Sequence, residues 1–349
     1  MSLSRRLRLV EPAKFAAKTI ILEAASLAAG FRGSTPPGPS GLILTLHHVR
    51  PRPSEAFDPN GHLSVTPEFL DVTIAELAAL GYEIIPIDAL LQRLSAPDGR
   101  PFAVVTLDDG YRDNVVHALP VFERHAAPFT VFACTGFIRR THSMWWETAL
   151  ALVRSQAQLA LDFGEGAVLL PVTRDSERQR AFDMIGRAVM QGDEARAIAV
   201  LDAAARKAGI DPLSFVDAQI LDESELQALA RHPLATIGAH SVSHRAMARL
   251  SPAELYEEIS VSRQVLTDLL GMAPSAFAFP YGHHAQAGPR DYRALRELGF
   301  TIGVTTVQAR LTDADQKRLT ALPRINLDGR WQKRRYIRGL VSGLAFKRG

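Results

Sequence analysis

Short apolar runs alternate along this chain with longer segments in which apolar residues recur at helical spacing. The apolar runs are typical of buried strands and lie near residues 42–46, 82–87, 102–107, 129–134, 234–239, 275–279 and 300–306. The clearest helical segment begins at Thr66-Pro67, which suit an N-cap and a first helical position, and it ends at Gly81. The alternation predicts βα units around a parallel sheet or barrel.

The alternation is interrupted over residues 145–220. Helical patterns there cover TALALVRSQAQLAL (148–161), SERQRAFDMIGRAVM (176–190) and EARAIAVLDAAARKAGI (194–210), with no comparable long strand pattern. We therefore expect an α/β fold, a distorted (β/α) barrel of about seven strands with a helical insertion at about 147–220. The expected divisions are a basic amphipathic segment with its linker (1–40), the barrel domain with its insertion (41–329) and a basic tail (330–349).

Charge is distributed unevenly over the 349 residues. The net charge is +3, but residues 1–32 carry +4 and residues 330–349 carry +7, so the body between them is acidic. Because the basic charge lies at the ends, we expect no nucleic-acid partner. The segment FAAKTIILEAASLAAGF (15–31) predicts an amphipathic helix that either packs on the body or lies on a membrane surface, assisted by the basic tail.

The sequence also gives an expectation for the cellular compartment of the protein. No clear signal peptide or transmembrane helix is present in the pattern, and the single cysteine, Cys134, lies in an apolar run where a buried, inert thiol is expected. The absence of a disulfide framework favours a reducing compartment. The expected location is the cytoplasm, with peripheral contact to the inner membrane as an open alternative.

Two adjacent carboxylates, Asp108 and Asp109, follow the apolar run 102–107 and precede Gly110. Neighbouring anions repel, so such a pair usually has a cation, a shared proton or a division of roles. The alternative is an ordinary Asp-Gly turn with solvated carboxylates. In a barrel, however, catalytic groups lie at the C-terminal ends of strands, and this pair has that position.

A second motif, HSVSH, places His240 and His244 four residues apart just after another predicted strand. Two imidazoles at this spacing can bind one metal ion, although the spacing alone is a weak signal. A site with one carboxylate and two histidines leaves positions for water and substrate, which suits catalysis better than a closed structural site.

The motifs TLDDG (106–110), HSVSH (240–244) and FAFPYG (277–282), in this order, resemble the signatures of NodB-type polysaccharide deacetylases, carbohydrate esterase family four. The resemblance covers about residues 42–145 and 220–327. It implies that Asp108 is the general base and that Asp109, His240 and His244 bind a divalent metal. The expected metal is zinc, with cobalt or nickel as alternatives. The resemblance also implies that the backbone N–H of Tyr281 helps to hold the oxyanion.

The resemblance also implies the reaction. The expected activity is metal-dependent removal of N-acetyl groups, less readily O-acetyl groups, from an oligo- or polysaccharide such as a chitooligosaccharide. The enzyme class is a carbohydrate deacetylase acting on linear amides, and the expected partner is the acetylated glycan. The physics agrees, because amide hydrolysis needs an activated water, a charge sink for the oxyanion and a proton for the amine.

The chain departs from the family pattern at two places. The third motif lacks the arginine that orients the base in many members, and no histidine follows His284 to act as the general acid. Arg324 is therefore expected to provide the positive charge beside Asp108, the alternative being a structural ion pair. For the acid we expect His48 or its neighbour His47, since one of two adjacent strand residues should face the barrel mouth; an ordinary strand histidine is the alternative.

Other side chains have weaker expectations. Trp145 and Trp146 are candidates to stack on sugar rings or to pack in the core, and His283 and His284 for contacts at the rim. Asp113 and Asn114 are expected to cap the following helix.

Two other classes of function remain open. A two-histidine, one-carboxylate iron oxygenase uses the same ligands, but there one histidine and the acid are usually close in sequence, and here the two histidines are paired. A carbohydrate-binding or envelope-assembly protein of low or no activity is the second alternative, because the arginine and the late histidine are missing.

Overall fold

The computed structural model describes residues 10–31, 41–52, 55–95 and 99–346. Parts of the predicted N-terminal segment and linker, and the last residues of the predicted tail, lie outside the described residues. Within the described residues the strands are β1 (Gly41–Leu46), β2 (His48–Val49), β3 (Ser64–Val65), β4 (Glu83–Ile84), β5 (Phe102–Leu107), β6 (Phe129–Ala133), β7 (Gln158–Leu161), β8 (Val168–Pro171), β9 (Ala235–Ala239), β10 (Ala276–Ala278), β11 (Ile302–Val304) and β12 (Ile325–Asn326).

The helices of the described residues alternate with these strands outside the interrupted region. They are α1 (Val10–Phe31), α2 (Pro67–Ala79), α3 (Leu90–Leu94), α4 (Leu119–Arg124), α5 (Thr135–Ile138), α6 (Trp145–Ser155), α7 (Asp175–Gln191), α8 (Glu194–Lys207), α9 (Leu213–Gln219), α10 (Glu223–Ala230), α11 (Pro252–Leu270), α12 (Pro289–Glu297) and α13 (Arg334–Val341). Helix α2 begins as predicted, because the Thr66 side chain accepts a hydrogen bond from the Phe69 N–H at 3.2 Å.

Seven parallel strands form a curled sheet in the order β11-β10-β9-β6-β5-β1-β12, and the short strand β4 pairs with the start of β5. The chain near its C-terminal end brings the two edges together: Leu322 bridges to Val304 of β11, and Ile325 of β12 pairs with Leu44 of β1. Because all these strands are parallel, their C-terminal ends share one mouth. The predicted fold class, a distorted (β/α) barrel, is confirmed.

Alternate residues along the strands belong to two separate cores. Ile43, Val104 and Phe132 pack in the smaller cluster, whereas their neighbours Leu44 and Val105 pack in the larger one with the helices. This is the period of two expected when both faces of a parallel sheet are covered. Residues that follow β1 and β5 are therefore directed alternately to the barrel interior and to the helices.

The insertion is less helical than its pattern predicts. The helix expected over 148–161 ends at Ser155, and residues 158–171 form an antiparallel hairpin of β7 and β8. Gln158–Leu161 alternates exposed and buried residues, as a strand with one covered face does, and Gly164 and Gly166 take the positive φ angles of the turn. The domain boundaries expected from the sequence stay predictions.

Helix α1 packs against α13 on the outside of the barrel. The Phe15 ring stacks on Trp331 with ring centroids 4.8 Å apart. The Glu23 carboxylate accepts hydrogen bonds from Arg335 and Tyr336, and these lower the pKa of Glu23 to about 2. We refer to α1 and α13 as the terminal helix pair, and we include in it the two acidic residues that bind them to the barrel, Glu76 of α2 and Asp328.

Basic residues of the terminal helix pair are used inside the molecule. Each of the five described Lys and Arg residues of the tail forms an ion pair, with Asp328, Glu23 or Glu76 as the acid. The contact of the basic ends with a membrane that the sequence left open has no support in the structure. Within the described residues, none of the helices combines the length and the apolar character that crossing a bilayer requires.

Candidate active site

The two carboxylates of TLDDG leave β5 at the mouth of the barrel and diverge. Asp108 continues the alternation of Val104 and Thr106, and its N–H donates to Leu46 O at 2.9 Å. Asp109 and Gly110 have φ angles of 74° and 81°. This left-handed turn is unfavourable for an aspartate, and it separates the directions of the two carboxylates.

Asp108 is held by Arg324, as a bidentate pair in the barrel interior. Arg324 Nη1 and Nη2 donate to Asp108 Oδ1 and Oδ2 at 2.7 and 2.6 Å, and Arg324 is 0% exposed. The same guanidinium donates to Thr305 O and Thr106 Oγ1. Burial raises the pKa of Asp108, but the charge and hydrogen bonds of Arg324 outweigh it, so the pKa lies below its ordinary value.

Asp109 lies against the two histidines of HSVSH. Asp109 Oδ1 is 3.4 Å from His240 Nε2 and 3.3 Å from His244 Nε2, and one donor atom from each residue lies within 4.8 Å of the others. The histidines come from the loop after β9, where Ser241 and His244 have positive φ angles of 62° and 59°. The fold thus brings together the three residues that the resemblance implies as metal ligands.

The donor atoms of this cluster suit a divalent cation. His240 Nδ1 lies 2.7 Å from Ala278 O, which as an acceptor holds the ring with Nε2 turned toward Asp109. Asp109 Oδ1 is buried without a hydrogen-bond partner among the described residues, and burial raises the pKa of Asp109 while the two imidazoles lower it by more. An orphaned carboxylate oxygen beside two imidazole nitrogens is the donor set that zinc prefers.

The two histidines after β1 point in opposite directions. His48 Nδ1 lies 2.6 Å from Asp113 Oδ2, and its ring packs on Tyr111 with centroids 3.5 Å apart. His47 follows Ile43 and Thr45 on the inner face, and the charges of Asp109 and Asp108 act on it. Burial lowers the pKa of His47 to about 4. His47 therefore faces the carboxylates. His48, the residue that the sequence analysis named first for the general acid, instead binds Asp113 and packs on Tyr111.

The sequence predicts that Asp113 caps the following helix, but in the structure it does not cap the helical turn Asn114–Ala118. It occupies the N-cap position without a capping bond, and its carboxylate binds His48 and the Val49 N–H instead. The Asn114 amide donates to His47 O at 2.8 Å. Both residues therefore hold the segment that carries the two histidines.

Tyr281 has a left-handed backbone, with φ of 58°. Its carbonyl accepts from Thr306 Oγ1 at 2.5 Å, and its N–H donates to no group among the described residues. Tyr281 also lies against the metal-ligand cluster, because its ring centroid is 4.8 Å from that of His244. An N–H left free beside such a cluster is a suitable donor to a developing oxyanion.

The insertion provides one wall of this site. Trp145 and Trp146 are 9% and 6% exposed, and their indole N–H groups donate to the hydroxyls of Tyr281 and Tyr111. Trp146 also meets His244 edge to face, at 5.1 Å. The core-packing alternative for the two tryptophans thus agrees with their burial. The exposed residues His283 and His284 contact each other, and the structure does not bring them to the cluster.

Two glutamates at the site were not expected from the sequence. The Glu258 carboxylate, on α11, accepts from the N–H groups of Val242 and Ser243 and so holds the HSVSH loop. Glu194, the first residue of α8, accepts from Tyr281 and Ala246. Neither has a local signal, since each lies in an ordinary helical pattern and reaches the site only through tertiary packing.

One protein-family model matches part of this chain. Residues 177–306 match the family model for polysaccharide deacetylase, a range that includes the histidines and Tyr281 but not the two aspartates. No curated protein matches the chain in sequence.

Several solved structures have a similar fold, among them proteins from Streptococcus pyogenes, Bacillus cereus and Ammonifex degensii. The Streptococcus pyogenes deacetylase PplD in complex with acetate is 17% identical, with a TM-score of 0.54 over 83% of this chain and 93% of that one. The Bacillus cereus polysaccharide deacetylase BC0361 is 14% identical, with a TM-score of 0.50 over 83% and 66%. IcaB from Ammonifex degensii is 15% identical, with a TM-score of 0.50 over 82% and 91%. At these identities the structures show a shared fold.

Proposed function

We propose that this chain is a carbohydrate deacetylase of the polysaccharide deacetylase family, whose model matches residues 177–306. It removes N-acetyl groups from a glycan that contains N-acetylglucosamine, with a divalent metal ion at Asp109, His240 and His244. O-acetyl groups are a less favoured substrate. The observation that carries the proposal is the pair of adjacent carboxylates, one held by Arg324 and the other by two imidazoles.

Zinc is the metal we propose, with cobalt and nickel as substitutes. Held by Asp109, His240 and His244, a divalent ion would supply a bound water with its pKa lowered from about 16 toward 7, and it would polarise the acetyl carbonyl. Three protein ligands leave coordination positions for water and substrate. The Ala278 carbonyl fixes the orientation of His240 for this role.

Asp108 is the proposed general base. Its pKa lies below the ordinary value, so at neutral pH it is a carboxylate and can accept the proton of the attacking water. Arg324 keeps both Asp108 oxygens in one orientation and stays charged throughout. The free N–H of Tyr281 would then stabilise the oxyanion, a contribution of roughly 3–4 kcal/mol for one well-placed donor.

His47 is the better of the two candidates for the general acid. It faces Asp108 and Asp109, and its imidazole is neutral at pH 7 because burial lowers its pKa to about 4. Its proton must therefore come from the reaction, and the water proton collected by Asp108 is the available source. We expect His47→Gln to lower kcat by more than His48→Gln; the reverse order would return the role to His48.

The proposal is tested by acetate release from chitooligosaccharides, poly-N-acetylglucosamine and peptidoglycan. We expect release that is lost on chelation and regained with zinc or cobalt. Asp109→Ala is the inactive control, and Asp71→Asn, which alters a half-exposed carboxylate on α2, is the matched active control. Release by Asp109→Ala at the rate of the unmodified protein would contradict the proposal.

A protein that only binds carbohydrate is the alternative left from the sequence. It was motivated by the missing arginine and the missing late histidine. Arg324 contacts both oxygens of Asp108 and so supplies the arginine, while the role of the late histidine falls to His47 only by proposal. Binding of all three glycans without acetate release from any of them would favour this alternative.

A further inference from the structure

One carboxylate of the insertion reaches both loops of the active site. Glu194 Oε1 accepts from the Tyr281 hydroxyl at 2.9 Å, and Glu194 Oε2 accepts from the Ala246 N–H at 3.0 Å. Tyr281 belongs to the loop with the oxyanion donor, and Ala246 lies two residues beyond the metal ligand His244. We propose that Glu194 is a positioning residue that fixes both loops at once, an inference that rests on the proposed function.

The two contacts require a group that only accepts. An O–H and an N–H converge on Glu194, and a carboxylate can accept from both. The Tyr281 oxygen already accepts from the indole N–H of Trp145 at 2.9 Å, so its own proton is directed to Glu194. A glutamine has one acceptor oxygen, so in either orientation its NH₂ would face one of the two donors.

Stability alone does not account for this carboxylate. Glu194 is 6% exposed, and no Lys, Arg or His of the described residues forms an ion pair with it, although the charges of His244 and Arg249 act on it. Burying an unpaired carboxylate is unfavourable, and burial raises the pKa of Glu194 accordingly. Asp202 offers a comparison on the same helix. Burial raises its pKa too, but its oxygens bind Ser143 Oγ and pair with Arg206 at 4.0 Å, and they contact neither active-site loop.

Strained backbone lies beside each contact, at Tyr281 itself and at His244, two residues before Ala246. Tyr281 and His244 have φ angles of 58° and 59°, which non-glycine residues adopt only when their surroundings hold them. Through Oε1, Glu194 restrains the ring of Tyr281 and so the direction of its N–H. Through Oε2, it restrains the chain that leaves His244.

The metal arm is tested by zinc affinity, measured by competition with a chromophoric chelator on metal-free protein. We expect Glu194→Gln to weaken zinc binding by about 10-fold or more, within the range for residues that orient metal ligands. Tyr281→Phe, which leaves the Ala246 contact in place, should change it by less than about threefold, as should the matched control Asp202→Asn.

The catalytic arm is tested by kcat and KM on an acetylated oligosaccharide at saturating zinc. We expect both Glu194→Gln and Tyr281→Phe to lower kcat by about 10–100-fold with little change in KM, because a displaced oxyanion donor affects the transition state. Asp202→Asn should stay within about twofold of the unmodified enzyme.

The double variant Glu194→Gln/Tyr281→Phe separates positioning from simple destabilisation. With the tyrosine hydroxyl gone, the glutamine oxygen is free to accept from Ala246, so zinc affinity should recover toward that of Tyr281→Phe. Equal zinc affinities for Glu194→Gln and Asp202→Asn, or no recovery in the double variant, would overturn the proposal. If Glu194→Gln does not fold, an unchanged kcat in Tyr281→Phe overturns the catalytic arm.

The zinc measurements do not depend on the substrate. If no glycan releases acetate but zinc affinity follows the expected pattern, the proposed function fails and the positioning role of Glu194 stands. If acetate is released and zinc affinity is insensitive to residue 194, the reverse holds.

Discussion

The barrel mouth and the terminal helix pair both bury a carboxylate against arginine, yet they differ in what remains unsatisfied. At the terminal helix pair, Glu76 accepts from Arg334 and Arg338, whose side chains reach in from the surface. At the mouth, Arg324 is itself buried, and the neighbouring Asp109 Oδ1 and His244 Nδ1 have no hydrogen-bond partner among the described residues. At the mouth, these two residues with unpartnered atoms belong to one cluster with His240, where a ligand could use their atoms.

The barrel mouth and the terminal helix pair also differ in backbone strain. Six non-glycine residues of the described chain have positive φ angles, and four of them, Asp109, Ser241, His244 and Tyr281, belong to the motifs at the mouth. None lies in the terminal helix pair. A buried ion pair is thus weak evidence of function, whereas orphaned polar atoms together with strained backbone mark the functional site.

The largest expected effect comes from removing a ligand at the mouth. Asp109→Ala leaves the two imidazoles without their carboxylate and should reduce kcat/KM by about 10³-fold or more, since an essential catalytic group is lost. Acetate release at saturating zinc measures this.

Zinc should also stabilise the folded protein through the mouth. At a zinc concentration 100-fold above Kd, binding adds about 2.7 kcal/mol to the free energy of unfolding. We expect the midpoint of thermal unfolding to rise with zinc in the unmodified protein and in Glu76→Gln, but not in Asp109→Ala. An equal rise in Asp109→Ala would place the zinc elsewhere.

Arg324 provides the next largest effect. Arg324→Met leaves the buried Asp108 without its partner, which should cost about 3–5 kcal/mol of stability and lower kcat by about 100-fold. Arg324→Lys keeps the charge but not the bidentate geometry, so its losses should be intermediate. Chemical denaturation and steady-state kinetics measure the two effects; equal kcat values for the three proteins would exclude a role for Arg324 in the reaction.

The ion pair of Asp108 and Arg324 predicts how stability and activity depend on pH. Arg324 lowers the pKa of Asp108 in the folded state, so its stabilisation is present above the ordinary value of 3.8 and is lost as the pH falls through the lowered folded-state pKa. Arg324→Met removes the largest interactions that lower this pKa, so burial should raise it. The acid limb of the kcat/KM profile should therefore move to higher pH.

The sequence was informative where short-range patterns decide the structure. The strand before Asp108, the helix from Thr66 and the confirmed barrel follow from apolar periodicity and capping. The alternation of side chains along a strand predicts that one of His47 and His48 faces the mouth, but it does not say which. The structural pairing of Thr45 in β1 with Thr106 in β5 decides it, because it puts His47 on the inner face with Asp108.

Other features depend on tertiary contacts that a single sequence does not reveal. Glu194 is 85 residues from the nearest aspartate of the site in sequence, and packing of α8 alone brings it to Tyr281. The hairpin of β7 and β8 lies in a stretch where short apolar repeats fit helix and strand alike. The roles of the seven predicted site residues stay predictions until the variants are measured.

At the terminal helix pair, a substitution should change stability without changing chemistry. Glu76→Gln keeps the size of the side chain but removes the charge that two arginines share, and should cost about 1–3 kcal/mol. We expect kcat and KM within about twofold of the unmodified enzyme. A large fall in kcat at full folding would mean that the helix pair controls the mouth, and the contrast between the two regions would not hold.

The smallest effect is expected where the terminal helix pair meets the closing segment of the barrel. Lys18 Nζ lies 3.1 Å from Asp328 Oδ2, and Asp328 also binds Arg330, so its carboxylate keeps a cationic partner when Lys18 is replaced. Because Lys18 is about one-third exposed, Lys18→Met should change the free energy of unfolding by less than about 1 kcal/mol and leave zinc affinity unaltered. Denaturation with and without zinc tests this, and a loss as large as that of Arg324→Met would show that α1 is as essential to the fold as the buried pair at the mouth.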